Sequence, residues 1–128
     1  MLADSPAVAF LAVSDMKAAR AYYENVLGLM IVSDDQWAVV AEAGGVTIRI
    51  TKPPERAVGA HTVLGFRVDG IEQKMAGLRA KGVSFERYAF LGEAQDAEGL
   101  WTTPGGDKVA WFKDPDGNLL SVSEHVSS

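Results

Sequence analysis

The sequence contains no cysteine, which excludes disulfides, a thiol nucleophile and thiolate metal sites. It has only two histidines, His61 and His125, so a mechanism that needs several imidazoles is excluded as well. No apolar run approaches the roughly 18 residues of a membrane span. The opening MLADSPAVAF lacks the basic start and long apolar stretch of a secretion signal. The expectation is a cytoplasmic protein without a membrane partner. Lysine and arginine number 12 against 17 acidic residues, and no basic cluster occurs. The net charge of −5 argues against a nucleic-acid partner. Glycine-rich phosphate loops, nucleophile elbows and a Ser-His-Asp pattern are absent from the sequence.

What is present is an ordinary globular composition, 48% apolar and 23% charged over 128 residues, enough for one domain. Residues 7–13 form a short apolar run and read as a buried strand. Ser14 is the expected N-cap of a helix whose apolar face is Met16, Ala19, Tyr23, Val26 and Leu27. Gly28 stops it. Residues 29–32, 37–42 and 46–51 read as strands, the last two joined through Ala43-Gly44-Gly45. The segment 53–60, with its prolines and no apolar period, reads as a linker. The pattern then restarts: a strand over 62–68, a helix marked by Ile71, Met75 and Leu78, a stop at Gly82, and a strand over 83–88. An irregular connection, 89–107, leads to strands 108–113 and 119–124 around the turn Asp114-Pro115-Asp116-Gly117-Asn118. The fold class is α+β: a single domain of two βαβββ modules, about 6–52 and 61–125.

Three segments, AFLAVSDMKAARAYYENVLGL (9–29), LGFRVDGIEQKMAGLRAKGV (64–83) and VAWFKDPDGNLLSVSEH (109–125), together with the repeated order, resemble the vicinal oxygen chelate superfamily. This superfamily includes glyoxalase I, extradiol dioxygenases and bleomycin-resistance proteins. The resemblance implies curved sheets forming an open cleft, a ligand in that cleft and, frequently, a homodimer. It places the family's metal-ligand positions at Val8, Arg49, Val63 and Ser121. Valine has no donor atom, arginine repels a divalent ion, and one serine cannot replace carboxylate and imidazole ligands. The expectation is therefore no cofactor. A divalent metal enters only under an alternative reading in which shifted strands bring in His61, Glu124 and His125.

Strand alternation extends the inward set. With Val8, Val63 and Ser121 facing the cleft, Phe10, Ala12, Gly65, Arg67, Leu119 and Ser123 face it too, and Leu11, Val13, Leu64, Phe66, Val68, Leu120 and Val122 face the helices. Pairing Asp114 with Asn118 sets Trp111 opposite Ser121. Pairing Glu42 with Val46 sets Val39 opposite Arg49 and Trp37 opposite Thr51. The candidate ligand site is thus Phe10, Trp37, Arg49, Thr51, Arg67, Trp111, Ser121 and Ser123: aromatic walls with cations and hydroxyls. Such a site suits a small organic molecule, aromatic and anionic. Trp101 is a candidate lid or loop anchor. The reading is metal-independent binding, analogous to sequestration by bleomycin-resistance proteins. The alternatives are a lyase, isomerase or dioxygenase of the glyoxalase I type, or an accessory module that binds another protein.

Overall fold

A computed structural model describes residues 1–57 and 59–126. The chain divides into two compact units, Met1–Val58 and Gly59–Ser128. Each unit is one four-stranded mixed sheet with a short helix, giving the repeated βαβββ order expected from the sequence. Val58, inside the expected linker 53–60, lies outside the described residues.

The first unit runs β1 (Val8–Ala12), α1 (Met16–Ala21), a π-helical turn (Tyr22–Val26), β2 (Met30–Asp34), β3 (Val39–Ala43) and β4 (Val46–Thr51). The sheet order is β1-β4-β3-β2, with β1 parallel to β4. Asp15, not Ser14, caps α1, because its carboxylate reaches the free amide of Ala18 at 3.0 Å. One face of the sheet is buried through Leu11, Val39, Ala41, Ile48 and Ile50, matched on the helical segment by Ala19 and Tyr23. The β3–β4 hairpin differs from the expected register by one residue. Gly44 and Gly45 both have positive φ (55° and 82°) and form the two-residue turn whose twist suits a hairpin, so Ala43 pairs with Val46. Val39 therefore lies opposite Ile50, and Arg49 lies opposite Val40.

The second unit runs β5 (Thr62–Arg67), α2 (Ile71–Ala80), a 3-10 segment kinked at Gly92 (Ala89–Ala94), β6 (Trp101–Thr102), β7 (Lys108–Lys113) and β8 (Leu119–Glu124). The sheet order is β5-β8-β7-β6, with β5 parallel to β8. Its buried side holds Ala110, Phe112, Leu120 and Val122, with Ile71 and Met75 of α2 also buried. The β7–β8 register is as expected: Trp111 opposite Ser121 and Phe112 opposite Leu120. Asp114 fixes it. One carboxylate oxygen accepts from the amides of Asp116 and Asn118, both at 2.9 Å, and the other accepts from the Asn118 side chain at 2.9 Å.

The expected strand over 83–88 is not continuous. Phe85 makes an isolated bridge to Phe112, and the Glu86 amide donates to the Trp111 carbonyl at 2.8 Å. Farther along the same edge of β7, the place is taken by β6, inside the segment expected to be irregular, with Trp101 opposite Val109. Buried Gln95 explains the break. Its side-chain oxygen accepts from the Tyr88 amide at 2.8 Å, and its amide nitrogen donates to the carbonyls of Glu86 at 2.8 Å and Gly99 at 2.9 Å. Backbone groups that a strand would have paired are satisfied by a side chain instead.

Candidate functional site

In each unit the sheet face turned away from the buried side carries the candidate residues, because successive side chains of a strand point to opposite faces. In the first unit Phe10 pairs with Arg49, and Ala12 with Thr51, so Phe10, Arg49 and Thr51 share that open face with Val8. Phe10 is 67% exposed. Trp37 does not join them opposite Thr51. It lies in the β2–β3 turn, 71% exposed, where Asp35 accepts hydrogen bonds from the Trp37 and Ala38 amides at 2.7 and 3.0 Å. These two bonds hold the Asp35 carboxyl below its usual range, and the charge of Arg49 acts in the same direction.

In the second unit the open face brings together the residues expected there. Gly65 pairs with Ser121, Arg67 with Ser123, and Trp111 with Ser121 from the other side. Gly65 has a packing reason to lack a side chain: a Cβ there would meet the Ser121 hydroxyl at 2.7 Å. Trp111 is half-buried and belongs to an aromatic array. The Trp101 ring stacks beside it with centroids 5.9 Å apart, and Tyr88 meets it edge-on at 5.5 Å. Phe90, which is exposed, continues the array from Tyr88 at 5.5 Å. Trp101 is therefore an edge-strand residue packed on Trp111. Burial pushes the Tyr88 phenol upward, with the Glu86 charge adding to the shift, so the phenol stays protonated and able to donate. Tyr88 also borders an open cavity of about 670 Å³ with Arg87, Ala89, Gly92, Glu93 and Gln95.

Tyr88 and Arg87 were not among the candidate residues. Their segment, 83–88, reads as a plain strand, and the Glu86 bond to the Trp111 carbonyl together with the Gln95 hydrogen bonds sets Tyr88 beside Trp111. A second constellation was also missed: Ser123, His125 and Asp107 lie together at one end of β7 and β8. Ser123 Oγ is 2.9 Å from His125 Nε2, and His125 Nδ1 is 3.8 Å from Asp107 Oδ2.

Val8, Arg49, Val63 and Ser121, where the resemblance sets the family's metal positions, lie on β1, β4, β5 and β8, and their side chains offer no donor set for a divalent ion. Among the described residues, no group of three or more His, Asp or Glu side chains is placed to hold a metal. The same residues include no helix long and apolar enough to cross a membrane.

The model of the glyoxalase/bleomycin resistance protein/dioxygenase superfamily matches residues 5–122. The chain belongs to this superfamily. Solved structures agree on the fold. A lactoylglutathione lyase from Agrobacterium tumefaciens is 19% identical, with 94% of this chain and 93% of that chain covered and a TM-score of 0.72. A superfamily member from Sphaerobacter thermophilus is 21% identical, covering 98% of this chain and 100% of that chain, with a TM-score of 0.75. An antibiotic binding protein from a Streptomyces species, TnmS3, is 20% identical, covering 98% and 99%, with a TM-score of 0.74. A comparison with curated proteins finds no match. The superfamily spans catalysts and binding proteins, so membership does not choose between them.

Proposed function

We propose that this superfamily member binds a small aromatic, anionic molecule without a metal cofactor. The observation that carries this reading is the Trp111 array on the open face of the second sheet, edged by Tyr88 and stacked by Trp101. A flat apolar ligand gains from such rings by offset or edge contact. Arg67 and the hydroxyls of Ser121 and Ser123 share the same face and supply a cation and hydrogen bonds. Phe10, Arg49 and Thr51 repeat this combination on the open face of the first sheet. Binding alone is sufficient for sequestration, the role suggested by analogy with bleomycin-resistance proteins and by the antibiotic binding relative. A homodimer in the cytoplasm is the proposed setting. The exposed apolar side chains Val8, Phe10, Met30 and Val32 favour a covered surface, and a cysteine-free chain suits a reducing compartment.

The test is titration with a panel of planar aromatic carboxylates, followed by tryptophan fluorescence. A saturable quench or shift is expected, and it should survive chelator treatment. Trp111→Ala should weaken the affinity about tenfold, a magnitude typical of one aromatic contact. Arg67→Ala should weaken carboxylates more than their neutral amides. Binding that is unchanged in Trp111→Ala, or that disappears with the chelator, would refute the reading.

A further inference from the structure

Beside Ser123, the open face of the second sheet carries two residues that the proposed ligand contacts do not use, His125 and Asp107. Strand pairing runs Ser123 opposite Val109 and Glu124 opposite Lys108. Continued past the strand ends, the same register sets His125 opposite Asp107. Ser123 and His125 are two residues apart along one strand direction, so their side chains leave the same face. Ser123 Oγ and His125 Nε2 lie within hydrogen-bond distance, 2.9 Å. Asp107 Oδ2 lies 3.8 Å from His125 Nδ1, longer than a hydrogen bond. Asp107 is itself fixed: its other carboxylate oxygen accepts from the Val126 amide at 2.9 Å, and its own amide donates to Thr103 Oγ1 at 3.0 Å. With the proton on Nδ1, Nε2 is free to accept from the serine hydroxyl. Arg67 pairs with Ser123 from β5 and, among the described residues, has no carboxylate partner.

We infer that Ser123 is an acyl-accepting nucleophile toward small activated carboxylic esters, with His125 as its general base and Asp107 as a positioning residue. Ser123 Oγ adds to the ester carbonyl carbon while its proton passes to Nε2. The carbonyl C–O bond to the leaving group then breaks, and the departing oxygen takes that proton. Water repeats the two steps, activated by the same imidazole, and releases the carboxylic acid with the serine hydroxyl restored. Arg67, paired with Ser123 on the neighbouring strand, is the cation on this face that would favour the negative oxygen developing between the steps. The three residues occur in the chain order Asp, Ser, His. The arrangement is therefore defined by geometry rather than by a motif.

The whole chain is incubated with p-nitrophenyl acetate. Nitrophenolate release is followed together with intact mass and peptide mapping. The expected result is one acetyl group on Ser123, or turnover, with either signal abolished by Ser123→Ala. His125→Gln should slow acylation about a hundredfold, the usual scale for losing a general base. Asp107→Asn should slow it about tenfold without changing the ester concentration that half-saturates the rate, a split that a merely structural role does not produce. Circular dichroism and urea midpoints identify any variant that fails to fold, and Ser123→Thr then supplies a second, hydroxyl-bearing comparison. Three results would overturn the inference: acetyl groups only on lysine or tyrosine, neither adduct nor turnover, or a His125→Gln variant that reacts at the original rate. Because none of these readouts uses the fluorescence titration, their failure is separable from failure of the binding proposal.

Discussion

Gln95 is the residue whose replacement should disturb the candidate site most while touching no ligand. Its side chain makes three hydrogen bonds, to the Tyr88 amide and to the carbonyls of Glu86 and Gly99, and it is 2% exposed. Gln95→Leu removes all three while keeping most of the volume. Each stranded backbone group costs about 1–3 kcal/mol when buried. Water reaching the rim of this segment and the gain from burying an apolar side chain offset part of that, leaving a loss of about 3 kcal/mol. Gln95→Glu is the sharper variant, because it is nearly isosteric. Ionised, the new carboxylate can still accept from the Tyr88 amide, but its second oxygen would face two carbonyls. Protonated, it donates to one of them. The folded state therefore raises the pKa of the introduced carboxyl above its unfolded value of about 4.3. The variant is then best tolerated below that value and loses stability as pH rises through the folded pKa, by about 1.4 kcal/mol for each unit of elevation. Urea unfolding at pH 7 and at pH 4.5, read by tryptophan fluorescence, measures both effects against the parent at each pH. Hydrogen exchange at the Tyr88 amide reports the local loss. A Gln95→Leu variant within about 0.5 kcal/mol of the parent, the range of ordinary surface changes, would refute the reasoning. So would a Gln95→Glu penalty that grows as pH falls.

Three further outcomes rest on the same geometry. Gly65→Ala should displace the Ser121 hydroxyl, which stands 2.7 Å from the position of the new Cβ, at about 1 kcal/mol for an off-rotamer side chain; a double-mutant cycle should show most of this relieved in the Ser121→Ala background. Asp114→Ala should cost about 3 kcal/mol in urea unfolding, since it strips two amides and the Asn118 side chain of a charged acceptor inside a buried turn. Asp35, held below its usual range by the Trp37 and Ala38 amides, contributes stability that is present above its unfolded pKa and lost as pH falls through its lower folded value; acid unfolding of Asp35→Ala should lack that component, and the parent carboxyl should titrate low by NMR.

The parts of the fold that the sequence revealed are those where a turn residue has one solution. Asp114-Pro115-Asp116-Gly117-Asn118 closes one loop length, and the register of Trp111 with Ser121 is set by it. Ala43-Gly44-Gly45 does not, because either a two-residue or a three-residue loop is open to it; the actual two-residue turn moved Val39 opposite Ile50 and left Trp37 outside the expected pair. Phe10 with Arg49 survived that slip because their pairing is set by the parallel β1–β4 contact, not by the hairpin. The strand expected over 83–88 departs from the structure for another reason. Val83 and Phe85 alternate as strand residues do, yet the path of the chain beyond Phe85 is decided by Gln95, and a glutamine in a loop gives no local sign that it will be buried.

The same distinction explains the two chemistries of the second sheet. Trp111, Ser121, Arg67 and Ser123 could be placed on one face because each is fixed by alternation within a strand whose partner was known. Tyr88 completes the array from the end of a segment read as a continuous strand, and Trp101 from one read as irregular. Asp107, Ser123 and His125 match none of the known spacings and orders of a Ser-His-Asp triad. They meet because two antiparallel strands carry their register one step past their ends. A nucleophile–base pair of this kind depends on where strands stop, the least legible feature of a sequence. The residues that alternation does place, the tryptophan, the arginine and the hydroxyls, hold a ligand by contact and need no such alignment.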